Sequence, residues 1–182
     1  MNILGIIFAL AAGVFFGIIG PITKTAYNLG AGVGLAIFLR YIVALLIVSP
    51  LIPYQRNLIK TYRDNFRLFL LITVASIMLT TGLLISVTYI NVSLTIIIFC
   101  TYPIIVLTIS VFVTKEKIKK IIKFLFISTF IGLFLALSPS TESLKVQGII
   151  FALIASLGAS IMIVTNQTMS KKNISPIEIN IF

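Results

Sequence analysis

Cations that lie within or beside long apolar stretches are the residues of this sequence best suited to bind a ligand. Arg40 stands between "AIFL" and "YIVALLIV", where a guanidinium is costly unless it faces protein, water or a counter-charge. One interpretation is a cavity cation that binds an anionic or zwitterionic ligand. The other is a structural anchor that bonds helix-end carbonyls or reaches the membrane interface. Lys24, which follows Pro21 at the end of the first apolar stretch, either faces the cavity or extends to the membrane interface.

Hydroxyl groups and one proline supply further candidates. Thr73, Ser76 and Thr80 recur at offsets of three and four, so they share one helical face. They could line a polar path or bond back to their own helix. The "TYP" sequence at 101–103 predicts a kinked, cavity-facing segment, because proline removes a backbone donor and frees a carbonyl. The candidate substrate-binding residues are therefore Arg40, Lys24, Thr80, Thr101, Tyr102 and Pro103.

The residues of common catalytic and metal sites are missing. Histidine is absent and Cys100 is the only cysteine, which excludes an intramolecular disulfide, a His/Cys metal cluster and a His-assisted nucleophile. No phosphate-binding G-x-x-x-x-G-K-[ST] loop occurs. The acidic residues all lie outside the apolar stretches, at Asp64, Glu116, Glu142 and Glu178. We therefore predict a protein that is not an enzyme and that needs no metal or cofactor.

The composition places the chain in a membrane. Of its 182 residues, 59 % are hydrophobic and 10 % charged, and the mean hydropathy is +1.20, far outside the soluble range. The net charge of +10 does not indicate nucleic-acid binding, because the basic residues lie in short gaps between apolar runs and form no folded basic surface.

The apolar runs predict an all-α polytopic protein with six transmembrane helices. A bilayer core of about 30 Å requires roughly twenty helical residues. No charge occurs from Leu68 to Thr114, which suits two spans joined by a tight turn at "YINVS". The predicted spans are Ile3–Ile22, Gly34–Ile52, Leu68–Tyr89, Leu94–Val113, Ile121–Leu137 and Ile149–Val164.

Basic residues occupy alternate gaps between these spans. They lie between the second and third spans, between the fourth and fifth, and after the sixth, whereas "NVS" has no charge and "SPSTESLKVQG" has one lysine balanced by Glu142. By the positive-inside rule, the N-terminus and the basic loops are cytoplasmic.

A repeated hexapeptide suggests internal symmetry. "GIIFAL" occurs at 5–10 and again at 148–153, and the alignment pairs Gly13 and Gly17 with Ser156 and Ser160. Both copies thus carry a small-xxx-small step suited to close helix packing. Five spans separate the two starts, so the second copy must enter the membrane from the opposite side. Inverted repeats of this kind are common in secondary transporters.

The order and spacing of several motifs resemble the EamA-type branch of the drug/metabolite transporter superfamily. The resemblance covers essentially the whole chain. It rests on a glycine-rich first helix followed by Lys24, "FLRYIVALL" with Arg40, "SVTYINVS", "CTYPIIVLTISVFVTKEKI" with Pro103 and Glu116, and Gly132. It implies a ten-helix bundle of two inverted five-helix halves, with residues 1–140 as the first repeat and 141–182 as the start of the second. It also implies that the chain is truncated after the first helix of the second repeat.

The function implied by the resemblance is secondary transport in the plasma membrane of a prokaryote. We expect alternating access of two halves that moves a small polar metabolite, an amino acid or a related compound, in the direction of export. The alternatives are a multidrug exporter and a non-transporting membrane scaffold. Expected partners are the lipid bilayer and a small-molecule substrate but no nucleic acid, and assembly into a homo-oligomer is compatible with the sequence.

Overall fold

A computed structural model describes residues 3–50, 58–114, 127–132, 135 and 145–172. These residues form an all-α polytopic membrane protein. Its labelled helices are α1 (Ile3–Asn28), α2 (Val33–Val48), α3 (Leu58–Asp64), α4 (Phe66–Tyr89), α5 (Val92–Phe99), α6 (Tyr102–Thr114) and α7 (Val146–Lys171).

Most of the predicted spans correspond to helices of the structure. Segments Gly5–Asn28, Phe66–Tyr89, Val92–Ile109 and Val146–Lys171 are long and apolar enough to cross a bilayer, and Val33–Val48 is a shorter apolar helix. Of the fifth predicted span, residues 127–132 and 135 are helical, and the rest lies outside the described residues. The tight turn predicted at "YINVS" is confirmed, because only Ile90 and Asn91 separate α4 from α5.

Two helix ends differ from the predicted spans. The first helix continues past Ile22 to Asn28 and ends in a glycine cap, with Gly30 at φ +90° and the Ala31 N–H donating to Ala26 O at 3.0 Å. Such a left-handed residue after a helix favours glycine. Helix α2 ends at Val48 and continues into a short 3₁₀ turn at Ser49 and Pro50, and the rest of the predicted span to Ile52 lies outside the described residues.

Helices α4 and α7 form an antiparallel pair at the centre of the described residues, and their contact is more extensive than that of any other pair of labelled helices. The end of α7 meets the start of α4, where Lys172 Nζ donates to Asn65 Oδ1 at 3.1 Å. Towards the other end, Gly148 of α7 abuts Tyr89 and Ile90. Between these ends, glycines bring the backbones together: Gly82 lies against Phe151 and Ala155, and Gly158 lies against Ala75, Met78 and Leu79.

Helix α1 lies against the C-terminal end of α4. Lys24 Nζ donates to Val87 O at 2.9 Å, and the Tyr27 hydroxyl donates to Leu84 O at 3.3 Å. Helices α1 and α4 thus end on the same side of the bundle, which is also where α7 begins. The helices that carry the two "GIIFAL" copies therefore run in opposite directions, as the count of spans requires.

The predicted packing role of Gly13 and Gly17 is wrong within the described part of the chain. A Cβ atom at either position would have no heavy atom of another described residue within 4 Å, and both glycines are exposed. Their partners in the repeat, Ser156 and Ser160, are fully buried. The two copies occupy different environments because α7 enters the core, whereas α1 presents apolar residues such as Phe15, 73 % exposed, on its surface.

Candidate functional site

A cavity of about 280 Å³ lies between α1, α2, α4, α5 and the start of α6. We call it the Arg40 cavity. Its walls are mostly aliphatic and aromatic, with Arg40 as the one charged side chain among the residues that line it. The lining residues are Phe16, Gly17, Ile19, Gly20, Thr23, Arg40, Leu83, Leu84, Val87, Val92, Thr95, Ile96, Phe99, Cys100 and Tyr102.

Arg40 reaches this cavity from the middle of α2. The same side chain also borders a neighbouring hollow of about 330 Å³ between α1 and α2, which shares Ile19, Thr23 and Leu84 with the first. Within the described ranges, no hydrogen bond or ion pair holds the guanidinium. A structural anchor would bond helix-end carbonyls, and no carbonyl of the described residues binds Arg40. This arrangement leaves all five guanidinium N–H donors available to a ligand.

A break in the fourth span forms one wall of the cavity. Helix α5 ends at Phe99 and α6 begins at Tyr102, which confirms the kink predicted at Pro103. Proline has no N–H to donate to the carbonyl four residues earlier, that of Phe99. The next donor, Ile104 N–H, binds Thr101 O at 3.0 Å. The carbonyls of Phe99 and Cys100 therefore receive no backbone hydrogen bond from the described residues, and both residues line the cavity.

Aromatic rings define the apolar part of the cavity. The rings of Phe16 and Phe99 lie 6.3 Å apart between centroids, and those of Phe99 and Tyr102 lie 5.2 Å apart. Faces and edges of such rings pack well against apolar ligand groups. Phe16 and Phe99 could not be selected from the sequence, because a phenylalanine in an apolar span looks the same whether it lines a cavity or faces lipid.

The predicted site residues fall into two groups. Arg40 and Tyr102 line the cavity, whereas Lys24, Thr80, Thr101 and Pro103 are not among its lining residues. Lys24 binds the C-terminal end of α4, where a cation is favourable. Thr80 is buried within the bundle. Thr101 and Pro103 lie at the helix break, beside the cavity wall.

The polar stripe on α4 does not line the cavity. Thr73 donates to Phe69 O of its own helix at 2.9 Å, and Ser76 donates to Met162 Sδ of α7 at 3.6 Å. These hydroxyls therefore satisfy their own helix or contact α7, as the alternative interpretation of the stripe allowed.

A buried hydroxyl pair near the C-terminal end of α4 was not identified from the sequence. Ser86 Oγ lies 3.0 Å from Thr95 Oγ1 and donates to Gly148 O at 2.8 Å. Since Ser86 and Thr95 are almost completely buried, this pair joins α4, α5 and α7 away from solvent. Only the spacing from the turn at Asn91 could have suggested that the two hydroxyls face one another.

The fold and the cavity define a multi-pass helical membrane protein with a ligand-sized hollow between its helices. The profile of the EamA-like transporter family matches residues 3–138, and the chain therefore belongs to that family. It is a membrane transporter of the drug/metabolite superfamily, a group that is generally non-enzymatic. No curated protein and no solved structure matches the chain.

Proposed function

We propose that the protein exports a small amphipathic metabolite, an amino acid with an apolar side chain or a related carboxylate, across the plasma membrane of a prokaryote. In this proposal the N-terminus is cytoplasmic, because the basic loops lie on that side by the positive-inside rule. Arg40 and Tyr102 contact the substrate. Lys24, Thr80, Thr101 and Pro103 support the helices around it.

The observation that carries the proposal is the position of Arg40. A guanidinium binds a carboxylate through two parallel hydrogen bonds, and the pair is strongest where water is scarce. Arg40 is the one charged side chain that lines an otherwise apolar cavity. A substrate that fits must therefore bring one anionic group and bury an apolar body.

The helix break supports an amino acid over a simple carboxylate. The carbonyls of Phe99 and Cys100 carry partial negative charge and lack backbone donors from the described residues, so an ammonium group could donate to them. No aspartate or glutamate lines the cavity, so an ammonium group would bind carbonyl or hydroxyl oxygens there, among them these two carbonyls. A zwitterion then has a partner for each charge, and its apolar side chain packs among Phe16, Phe99 and Tyr102.

Alternating access would use two inverted halves, with residues 1–140 as the first and 141–182 as the start of the second. The family match over residues 3–138 supports a unit of this size. The opposite directions of α1 and α7 support inversion. Transport would then move the α7 side against α1 and α2 around the substrate.

The apolar walls also favour one alternative, a multidrug exporter. A cationic drug would be repelled by Arg40 and would find no carboxylate among the lining residues, so the cavity suits an uncharged or anionic drug better. A membrane scaffold, the remaining alternative, would not require a lone cation beside an apolar cavity of ligand size.

Uptake into inverted vesicles tests the proposal. Leucine, the amine that lacks its carboxylate and the 2-oxo acid that lacks its ammonium group are compared in wild type, Arg40→Ala and Arg40→Lys. Arg63→Ala is the matched control, because Arg63 is exposed on α3 and lies outside the cavity.

The proposal predicts that leucine is transported best, the 2-oxo acid less well and the amine least. Loss of a charged hydrogen-bonded pair weakens binding by about 1.5–3 kcal/mol, so leucine uptake by Arg40→Ala should fall at least tenfold at low substrate concentration. Equal uptake by Arg40→Ala and Arg63→Ala would contradict a substrate-binding role for Arg40.

A further inference from the structure

Two serines of α7 contact the break between α5 and α6. Ser156 Oγ lies 2.9 Å from Thr101 Oγ1, and Ser160 Oγ donates to Tyr102 O at 3.1 Å. Both serines are completely buried. The small-xxx-small step of α7 thus places one hydroxyl against the break at Thr101 and the next against the start of α6 at Tyr102, in addition to permitting close approach.

The direction of these hydrogen bonds follows from the available protons. Thr101 Oγ1 donates its single proton to Ile98 O at 2.8 Å, so Ser156 must be the donor to Thr101. Ser160 also lies 2.8 Å from Ser156 O of its own helix. The Ser160 hydroxyl therefore has two acceptors, a carbonyl of α7 and a carbonyl of α6. It can rotate so that its hydrogen bond goes from one carbonyl to the other without breaking α7.

The contact lies directly behind the Arg40 cavity. Cys100 and Tyr102, on either side of Thr101, both line that cavity. Ser156 and Ser160 are not lining residues, so they reach the cavity only through the break. The contacts that hold the break in its bent form therefore also fix the positions of Cys100 and Tyr102 in the cavity wall.

We infer that Ser156 and Ser160 are positioning residues that hold the break of the fourth span and thereby fix the shape of the Arg40 cavity. This inference rests on the proposed function for its consequence in transport, since α7 begins the second half of the proposed transporter. When α7 moves, the serine contacts carry the movement to Cys100 and Tyr102. Rotation of the Ser160 hydroxyl, so that it donates only to Ser156 O, releases α6 at the cost of one interhelical hydrogen bond.

The native cysteine provides a readout that needs no transport. Cys100 is half-buried with a free thiol, lies at the break, and is the only cysteine of the sequence. Its rate of alkylation by N-ethylmaleimide in membranes, without substrate, reports how often the break opens. An interhelical hydrogen bond in a membrane averages about 0.6 kcal/mol, a factor of about three in an equilibrium constant.

The experiment compares the alkylation rates of wild type, Ser156→Ala, Ser160→Ala and Thr168→Val. Thr168 is the matched control, because its hydroxyl donates to Val164 O of α7 and the residue is exposed. Each serine variant should react about threefold faster than wild type, and Thr168→Val should react at the wild-type rate. Rates for both serine variants equal to that of Thr168→Val would overturn the inference.

A second pair of variants tests the contact if either serine variant fails to fold. Thr101→Ser keeps the hydroxyl and should react like wild type, whereas Thr101→Val should react faster. Equal rates for Thr101→Ser and Thr101→Val would refute the contact. Where Ser156→Ala does fold, it should add nothing in the Thr101→Val background, because its partner is already gone. A full multiplicative effect in that background would show that Ser156 acts independently of Thr101 and would refute the contact.

These outcomes separate the inference from the proposed function. Faster alkylation of the serine variants in a protein that transports no amino acid would support the positioning role and reject the substrate. If the serine variants are alkylated at the wild-type rate and the protein transports leucine, the positioning role is rejected and the proposed substrate is supported.

Discussion

Gly158 allows α7 to approach the backbone of α4, and its replacement by alanine should separate the two helices. The new Cβ would lie 2.7 Å from both Ala75 O and Leu79 N, whereas ordinary contact begins at 3.4 Å. The helices must therefore part locally by about 0.7 Å, a gap that removes a quarter to a half of each dispersion contact there. Backbone atoms form the obstacle, so no side chain can rotate away.

The expected cost follows from these distances. Overpacking of this kind lowers the stability of the folded protein by about 1–3 kcal/mol. The higher helix propensity of alanine offsets at most about 1 kcal/mol of that loss. We expect a net loss of about 1–2 kcal/mol, or a Tm lower by roughly 2–8 °C for a chain of this size. Thermal unfolding in detergent micelles, followed by the monodisperse fraction, measures it.

Gly13→Ala is the control for this prediction, because Gly13 has open space around its Cβ position among the described residues. It should melt at or slightly above the wild-type temperature. A Gly158→Ala protein as stable as Gly13→Ala would refute the close packing of α4 on α7.

Other contacts predict further changes. Ser86→Ala should destabilise the protein by about 1–3 kcal/mol, because it removes the buried partner of the Thr95 hydroxyl and a hydrogen bond to α7. Thr81→Val, which removes a hydroxyl bonded within α4, should cost much less, and equal melting temperatures would disprove the difference. Lys24→Met should lower stability by about 1 kcal/mol through loss of its bond to α4, and an unchanged melting curve would argue against that bond. Pro103→Ala should slow alkylation of Cys100, because the new N–H can close the helix break; a faster reaction would contradict this explanation of the break.

The hydropathy pattern and the turn residues predict most of the architecture. Charge-free residues from Leu68 to Thr114 with one turn at Asn91 predict the α4–α5 hairpin, and Pro103 predicts the broken span, because both features are local consequences of backbone chemistry. The opposite directions of α1 and α7 follow from counting spans. The packing of α7 on α4 could not be predicted, because it depends on Gly82 and Gly158 meeting between distant segments.

The candidate site was predicted only in part for the same reason. A lone guanidinium in an apolar span is a strong local signal, and Arg40, which that signal selects, is among the residues that line the cavity; its contact with substrate stays a prediction. Lys24 gave a similar signal, but its reach to Val87 O depends on how α1 crosses α4. The roles of Ser156 and Ser160 depend on which helix faces them, and the sequence indicates only that they are small.

The central claim is that substrate binds in the Arg40 cavity through the guanidinium. Protection of Cys100 from alkylation by saturating leucine tests it most directly, because both residues line the same cavity. The account predicts that leucine slows alkylation of wild type, slows it less in Arg40→Lys, and has no effect in Arg40→Ala at the same concentration. Equal protection of wild type and Arg40→Ala, or transport of leucine with no protection in wild type, would contradict the account.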